Sequence, residues 1–246
     1  MEKELFDSVA ALQNEHWWFK ARKSFAMEAL RQGPAGKAGP ILDIGCGSGV
    51  MIDFLKDYGK PVIGIDYSEY ALKLCAVGVH GVLARGTVEH LPFKDNSFGL
   101  VTSFEVLYHK QVGDDDKVIR EIYRVCKKGG RILIIDSAFD FLKSKHDDFA
   151  HGVRRYTVKE LSGKLKMAGF VMRKSSYLYM SIFPILCVVR AFKNIFIPKD
   201  KPSCDLHRAP AFINNMMIRV LRLEAVLLRK IALPFGVSVL CVAEKE

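Results

Sequence analysis

The sequence has no long uninterrupted apolar run, no low-complexity stretch and no internal repeat. Its most apolar segment, residues 177–189, is thirteen residues long and is interrupted by Pro184, whereas a membrane-spanning helix needs about twenty apolar residues. Residues 1–25 are charged and amphipathic and lack the apolar core of a secretory signal. We therefore expect a folded cytoplasmic protein without a leader or a spanning helix.

Cysteine pairs and metal-ligand clusters are also missing. The six cysteines are scattered without any C-x-x-C spacing, at Cys46, Cys75, Cys126, Cys187, Cys204 and Cys241. This pattern argues against a disulfide framework or a zinc cluster and fits a reducing compartment. His146, Asp147 and His151 are too few ligands with too irregular a spacing to indicate zinc, so we predict no metal site.

The first part of the chain has no excess charge. Residues 1–138 contain 18 Lys or Arg and 18 Asp or Glu, so their charges cancel. Residues 139–246 contain 19 Lys or Arg and 9 Asp or Glu, and they account for the whole net charge of +10. A solvated basic surface is one interpretation. The other is that the second part contacts an anionic partner such as phosphate, nucleic acid or a lipid surface.

From residue 40 onward, short β-branched runs alternate with helical segments, which is typical of a parallel α/β sheet. The runs lack polar–apolar alternation, so we expect strands that are buried on both faces. The predicted strands are Pro40–Ile44, Pro61–Asp66, Gly81–Ala84, Phe98–Ser103, Arg131–Asp136, Phe170–Ser175 and Val237–Ala243.

Helix boundaries are predicted from capping residues. Asp114–Asp116 should begin the helix Val118–Cys126, and the Lys-Lys-Gly-Gly of residues 127–130 should end it. Thr157 and Glu160 form a capping box for a helix that follows them. The other predicted helices are Val50–Lys56, Glu69–Ala76 and Ala211–Ala232.

The strongest functional signal is the segment Ile41–Gly49, in which a strand runs into glycines at alternate positions and then into a helix. Glycine there permits positive φ and close approach of a ligand to the backbone. Asp43 precedes the first glycine, and Asp66 ends the next strand, where a carboxylate can accept two ribose hydroxyls. A dinucleotide-binding loop is the rival, but its G-x-G-x-x-G pattern would need glycine where Val50 stands.

With the run 86–93 that follows the third strand, these motifs resemble class I S-adenosylmethionine-dependent methyltransferases over residues 40–136. The resemblance implies S-adenosylmethionine as cofactor and a Rossmann-like α/β fold. The sheet would be mostly parallel and seven-stranded, of order 3-2-1-4-5-7-6, with an antiparallel last strand and helices on both faces. We expect an N-terminal helical cap (1–39), a cofactor-binding domain (40–176 and 237–246) and a helical insertion (177–236).

The resemblance also implies roles for individual residues. The cofactor-binding positions within the domain are Asp43, Gly45, Cys46, Gly47, Asp66, Tyr67, Thr87, Val88, Glu89, Ser103, Phe104 and Glu105. The loop residues would surround the methionine part, Asp66 the ribose, Tyr67 and residues 87–89 the adenine, and residues 103–105 the sulfonium. The family usually has an acidic residue where Thr87 stands, so the adenine amino contact is expected from Glu89 or from backbone.

Both tryptophans lie in the segment Glu15–Arg22. One interpretation is an aromatic helix packed over the sheet edge. The segment is also similar to the N-terminal opening of a subgroup of bacterial and archaeal methyltransferases, which implies a helix lying across the cofactor. Trp18 and Arg22 would then bind the cofactor, with the Arg22 guanidinium on the methionine carboxylate.

Residues after the fourth and fifth strands are candidates for the acceptor pocket, because ligands of open α/β sheets bind at this edge. We predict the acceptor contacts at Tyr108, His146, Arg154, Arg155 and Tyr156. An O or N acceptor needs its proton removed, and histidine is suited to this at neutral pH. His109 and His151 are the candidate bases, while a packing or capping role is the alternative for His109.

The acceptor class is less specific in the sequence. Basic residues beside apolar helices in the insertion are typical of an anionic membrane surface, and the subgroup is often associated with cell-envelope glycan or lipid pathways. We therefore predict methyl transfer to an O or N atom of a small-molecule, lipid- or glycan-linked acceptor, at the inner membrane face. RNA methylation, a non-catalytic scaffold, and a dimerisation or lid role for the insertion are the alternatives; nucleic acid is less favoured because no base-methyltransferase tetrad occurs.

Overall fold

Seven strands form one sheet in the computed structural model, which describes residues 3–31, 39–78, 81–196 and 208–246. The strands are β1 (Ile41–Ile44), β2 (Val62–Asp66), β3 (Val82–Arg85), β4 (Phe98–Phe104), β5 (Cys126–Ser137), β6 (Phe170–Leu178) and β7 (Ser238–Lys245). Their order is β3-β2-β1-β4-β5-β7-β6. The first five run parallel, and β7 is antiparallel to both neighbours. The predicted fold is confirmed.

Helices cover both faces of this sheet. They are α1 (Lys3–Leu12), α2 (Trp17–Leu30), α3 (Ile52–Leu55), α4 (Glu69–Gly78), α5 (Asp115–Val125), α6 (Lys145–Phe149), α7 (Val158–Met167), α8 (Phe183–Phe196) and α9 (Ala211–Leu227). Two apolar clusters result, one on each face, and strand residues such as Ile41 and Leu42 on β1 enter opposite clusters. The central strands β1, β4 and β7 are therefore buried on both faces, as unbroken apolar runs predict. For the edge strand β3 this prediction is wrong, because Val82 and Arg85 are exposed where the sheet ends.

The predicted end of the helix before β5 is wrong. The helix α5 begins after Asp114, whose side chain accepts from the Lys117 amide at 3.0 Å, but it ends at Val125 because Cys126 is already extended. Residues 127–130 instead form the first part of β5, and the pairing with β4 jumps from Cys126 to Arg131. A Lys-Lys-Gly-Gly run suits both a helix end and a strand irregularity, because Gly129 has φ +71°.

The three aspartates at the start of α5 lie close together, and each already has a protein partner. Asp115 accepts from the Tyr156 hydroxyl at 2.7 Å and from Lys164 at 3.1 Å, while Asp116 accepts from Lys164 at 3.0 Å. The cluster therefore joins α5 to α7 and to the segment before α7.

The N-terminal segment is attached to the insertion. His16 caps α2, with its ring Nδ1 accepting from the Trp18 amide at 3.2 Å. The Trp18 ring stacks on Tyr179 with centroids 4.2 Å apart, and the Trp17 amide donates to the Asn214 side chain at 2.9 Å. The helix α2 thus packs against α9 as well as against the sheet.

Within the insertion, a buried carboxylate fixes the turn that precedes α8. Glu224 on α9 is 4% exposed and accepts from the amides of Met180 and Ser181, each at 2.8 Å. Among the described helices, none combines the length and the apolar character that crossing a bilayer requires.

The return from the insertion to β7 passes through Gly236, which lies against the end of β6. A Cβ added at Gly236 would come 2.1 Å from the Leu178 carbonyl oxygen, a backbone atom that cannot move aside. We predict that Gly236→Ala lowers the free energy of unfolding by about 2 to 4 kcal/mol, as overpacking and backbone displacement do. Urea denaturation measures this.

Gly163 provides the matched control for this substitution. It lies inside α7, and nothing lies within 4 Å of an added Cβ, so Gly163→Ala should stabilise the protein by about 0.5 to 1 kcal/mol through helix propensity. Equal effects of the two substitutions would contradict the steric argument.

Candidate active site

A cleft opens at the carboxyl ends of β1, β2 and β4, beneath α1 and α2. It is lined by the residues Phe6, Val9, Trp18, Phe19, Arg22, Asp43, Gly45, Cys46, Gly47, Ser48, Val50, Met51, Asp66, Phe104, Glu105, Tyr108 and Ala150. Because parallel strands end together at one edge of a sheet, residues far apart in the sequence meet here. Nine of the predicted cofactor positions, including Trp18 and Arg22, line this cleft.

Glycine is required in the loop after β1 for two different reasons. Gly45 has φ +62°, and an added Cβ would lie 2.5 Å from the Val106 side chain. Gly47 has φ +54°, but its nearest neighbour would be a Phe6 ring atom at 4.0 Å. At Gly45, a side chain would clash with Val106. At Gly47, the positive φ opposes substitution, while the space above the loop stays open.

The carboxylate of Asp66 is oriented by backbone amides. Its Oδ2 accepts from the Gly47 amide and its Oδ1 from the Ser68 amide, both at 2.9 Å. Burial raises the pKa of Asp66, and the two amides oppose this shift. Each oxygen keeps further acceptor capacity, so the carboxylate can also accept from the hydroxyls of a ligand in the cleft.

Asp43 lies deeper beneath the same loop. It is 2% exposed, and its Oδ1 accepts from the Thr102 hydroxyl at 2.7 Å. Burial raises the pKa of Asp43 to about 7, the Thr102 hydrogen bond opposes this, and the charge of Asp66 adds to it. The carboxyl therefore changes its ionisation near neutral pH.

An ion pair crosses the cleft between α2 and the end of β4. Arg22 Nη2 lies 2.5 Å from Glu105 Oε2, and the Arg22 side chain is 7% exposed. Arg22 Nε is buried without a hydrogen-bond partner. Glu105 has φ +56°, and its amide donates to the Ile135 carbonyl at 2.8 Å. The guanidinium thus has a donor without a protein partner, beneath the lining of the cleft.

The segment after β4 is fixed by a carboxylate that sequence reasoning missed. Asp136, at the end of β5, is fully buried and accepts from the amides of Leu107 at 2.8 Å and Ser137 at 2.9 Å. Burial raises the pKa of Asp136 to about 7. The sequence did contain a signal for Asp136, because it is an acidic residue at the carboxyl end of a predicted buried strand. The same signal identified Asp66.

Tyr108 and Ser103 have different surroundings. Tyr108 lines the cleft, and its ring lies against Gly152, where an added Cβ would meet ring carbons at 2.7 and 2.8 Å. Burial raises the pKa of the Tyr108 hydroxyl, so it stays protonated at neutral pH. Ser103 is buried, its hydroxyl has no hydrogen-bond partner, and it does not line the cleft.

The predicted adenine-side residues lie farther out. Tyr67 is 38% exposed, and Thr87, Val88 and Glu89 do not line the cleft. The Glu89 carboxylate accepts from the amides of Gly113 at 2.6 Å and Asp114 at 3.2 Å. An adenine contact from Glu89 would have to share its Oε1 with these amides or use Oε2.

His109 and His151 form a pair beside the cleft rather than in its lining. Their ring centroids are 5.9 Å apart. The Nδ1 of His109 accepts from the Gln111 amide at 3.2 Å, which places the proton of the neutral ring on the buried, unpartnered Nε2. Burial, followed by the charges of His151 and Lys110, lowers the pKa of His109 to about 4.

Three of the residues predicted for the acceptor pocket, Arg154, Arg155 and Tyr156, form hydrogen bonds within the protein. Arg155 is 8% exposed and donates to Asp147 at 2.9 and 2.6 Å and to the Ala138 carbonyl at 2.8 Å. Arg154 donates to the Val112 carbonyl at 2.7 Å, and Tyr156 is buried and bonded to Asp115. These three residues do not line the cleft; the side chain of His146 lies outside the described part of the chain.

Several apolar residues of the cleft were not foreseen, notably Phe6 and Val9 on α1, Phe19 on α2, and Ala150. Their signal was weak, because apolar residues on an amphipathic helix such as α1 look the same whether they cover a core or a ligand. The aromatic side chains nevertheless give the cleft an apolar wall opposite the glycine loop.

Comparison with known proteins agrees with this geometry. The family described as Methyltransferase domain matches residues 42–134. The chain is 30% identical over 128 residues to a probable S-adenosylmethionine-dependent methyltransferase of Mycolicibacterium smegmatis, covering 52% of this chain and 48% of that protein. It is 26% identical to the ubiquinone/menaquinone biosynthesis C-methyltransferase of Pseudoalteromonas translucida, covering 74% and 75%.

Among solved structures, a putative methyltransferase from Haloferax volcanii, solved with a methyltransferase activator, superposes with a TM-score of 0.63. The identity is 21%, over 97% of this chain and 96% of that one, so this likeness concerns the fold. The chain spans about half or less of the length of most curated relatives it matches. Residues 42–134 are therefore a methyltransferase domain of the class I type, for which S-adenosylmethionine is the cofactor.

The residues of the cleft fit that cofactor. The open space over Gly47, the oriented carboxylate of Asp66 and the guanidinium of Arg22 belong to the lining of one cleft. These groups are complementary to backbone approach, to ribose hydroxyls and to a carboxylate respectively.

The raised pKa of Asp43 predicts how cofactor affinity depends on pH. In the free protein Asp43 is mostly neutral below its pKa of about 7 and ionised above it. The positive charge of S-adenosylmethionine favours the ionised carboxylate, so binding should lower this pKa and release a proton below pH 7. Affinity should then be highest above pH 7 and fall by at most about tenfold per pH unit as pH decreases.

Titration calorimetry at about pH 6 and about pH 8, in buffers of different ionisation enthalpy, measures both the affinity and the released proton. Asp43→Asn should flatten the pH dependence and abolish this proton release. An identical slope in the wild type and in Asp43→Asn would assign the titration to another group, of which Asp136 is the first candidate.

Proposed function

We propose that this chain transfers a methyl group from S-adenosylmethionine to an O or N atom of a small, largely apolar acceptor that is linked to a lipid or a glycan. The observation that carries the proposal is the cleft at the strand ends, where the glycine loop, Asp43 and Asp66 face an aromatic wall. One side of this cleft suits the cofactor and the other suits an apolar acceptor.

The polar side of the cleft supports the cofactor orientation. We infer that Asp66 holds the ribose hydroxyls, that Arg22 holds the methionine carboxylate and that Asp43 faces the positive end of the cofactor. The Arg22–Glu105 pair then places a carboxylate at the end of β4, beside the acceptor wall. The cofactor supplies an activated methyl group, so the chain itself has to align the acceptor and take its proton.

The acceptor side consists of aromatic and aliphatic groups. Phe19 and Tyr108 supply the aromatic groups, and Val9 and Ala150 the aliphatic ones. This wall matches a ring or an isoprenoid-like chain better than a charged metabolite. The relative from Pseudoalteromonas is named for quinone biosynthesis, which is an apolar acceptor of the same general kind, although its name specifies methylation at carbon.

The alternatives have less support. RNA would require a basic, stacking surface beside the cleft, whereas Arg154 and Arg155 are engaged in internal hydrogen bonds. A scaffold that binds the cofactor without turnover would not need an aromatic cavity beside the methyl donor. Both are outcomes of the experiment that follows.

Incubation with methyl-labelled S-adenosylmethionine and fractionated cell extract tests the proposal, with label expected in the lipid or lipid-linked glycan fraction. Asp66→Asn should reduce incorporation about a hundredfold or more at limiting cofactor, because a charge-assisted contact to the ribose is lost. Asp57→Asn, which removes an exposed carboxylate, is the control. Label in RNA would establish the RNA alternative, and cofactor binding without label in any fraction would establish the scaffold.

For the proton acceptor we propose His151 ahead of His109. In neutral His109, Nδ1 is the only ring nitrogen that can accept a proton, and it already accepts a hydrogen bond from the Gln111 amide. His151 follows Ala150, which lines the cleft. His151→Ala should lower kcat by about a hundredfold while cofactor affinity changes less than about twofold, because general-base catalysis contributes at this level.

His109→Ala should lower kcat less than His151→Ala, and the exposed His90→Ala should leave it unchanged. The comparison uses the acceptor that takes up label, with cofactor affinity measured for each variant. Full turnover in the His151 variant would exclude His151 as the base, and full turnover in both variants would remove histidine from the mechanism.

A further inference from the structure

The helix α8 exposes a stripe that is entirely apolar. Ile185, Val188, Val189 and Phe192 are 66%, 70%, 42% and 58% exposed. Their spacing of three and four residues places them on one side of the helix. A surface helix ordinarily turns its polar side to solvent, but here the charged Arg190 is on the buried side, 9% exposed and bonded to the Leu142 carbonyl.

Two aromatic residues extend this stripe at the start of α8. Phe141 is 65% exposed and Phe235 is 39% exposed. Their rings contact Phe183, the first residue of α8, with centroids 6.2 and 5.3 Å away. We call the six residues Phe141, Ile185, Val188, Val189, Phe192 and Phe235 the α8 face.

The outer side of α9 has the same character. Phe212 and Leu223 are 79% and 73% exposed, and the exposed Arg219 and Arg222 lie between and beside them. Across the described residues, thirteen of the twenty large apolar side chains that are exposed belong to residues 177–236. Exposed apolar groups are therefore concentrated in the insertion rather than scattered over the surface.

The exposed charges in the described part of the insertion have one sign. In the described residues of 177–236, Glu224 is the single carboxylate, and it is buried and occupied by backbone amides. The exposed ionisable groups there are Arg208, Arg219, Arg222 and Lys230. In residues 177–196 and 208–236, the outer surface thus combines apolar groups with positive charge and exposes no carboxylate.

We propose that the α8 face and the outer side of α9 dock on an anionic lipid bilayer, with α8 lying in the interface rather than across it. Apolar side chains would enter the boundary of the acyl chains while the arginines and Lys230 meet the anionic headgroups. At 14 residues, α8 is about 21 Å long, too short to span the bilayer. A second copy of the chain is disfavoured as occupant, because two such surfaces would bring like charges together.

Vesicle sedimentation of the full chain tests the proposal without reference to methyl transfer. The protein should sediment with vesicles that contain phosphatidylglycerol and much less with pure phosphatidylcholine, and high salt should weaken the binding. Val188→Glu and Phe192→Glu should each lower the partition coefficient roughly tenfold or more, because an apolar contact is replaced by a charge repelled by the bilayer. Arg219→Gln with Arg222→Gln should reduce the preference for anionic vesicles.

Met167→Glu is the matched control, since Met167 is 80% exposed at the end of α7 and outside the insertion. Its partition should equal that of the wild type, and cofactor affinity should be retained in every variant, which shows that each is folded. The proposal is overturned if the wild type does not sediment with anionic vesicles, or if the α8 variants bind as the control does. It is also overturned if light scattering shows a dimer that Val188→Glu dissociates without any binding to vesicles.

Discussion

Arg22 and Glu105 form a largely buried ion pair, and the geometry of the cleft depends on it. Arg22 belongs to α2, which comes from the N-terminal segment, whereas Glu105 directly follows the central strand β4. Removing one partner of such a pair leaves a buried charge without compensation, at a cost of about 3 to 5 kcal/mol. The pair therefore fixes a covering helix over the strand ends.

The same helix connects the cleft to the insertion. Trp18 stacks on Tyr179 on one side of α2, and Arg229 beyond α9 donates to Glu28 near the helix end, with Nη2 to Oε1 at 2.7 Å. Because Trp18 also lines the cleft, a displacement of the insertion would move a wall of the cleft. The cleft and the outer face of the insertion are thus parts of one packed unit, with α2 between them.

The fold was predictable because its signals are local and redundant. The strands appear in the sequence as short apolar runs without polar–apolar alternation. Asp114 and Thr157 cap α5 and α7, as their sequences indicate. The glycine loop needs positive φ at Gly45 and Gly47. The end of α5 was missed because Lys-Lys-Gly-Gly has the same local chemistry in a helix end and in an irregular strand start.

The apolar lining of the cleft could not be predicted from the sequence in the same way. Aromatic residues such as Phe6 and Phe19 have no sequence signature that separates a pocket wall from a core, and only their meeting in space makes the cleft. For charged residues the sequence predicted contacts that the fold does not offer. Arginine is a common ligand-binding residue, but Arg155 already donates to Asp147 and to the Ala138 carbonyl. A charged residue near a site indicates binding only when its donors remain free, which is a property of the fold.

The uneven charge of the chain can be interpreted with this distinction. Of the basic residues after position 138, Arg154, Arg155 and Lys164 form ion pairs with Asp115 or Asp147, so they contribute little to an external field. The arginines of α9 that face solvent lie among exposed apolar residues instead. Part of the exposed positive charge therefore lies beside an apolar surface, and charge and hydrophobicity together, rather than the net charge of +10, favour a lipid interface over a polyanion such as RNA.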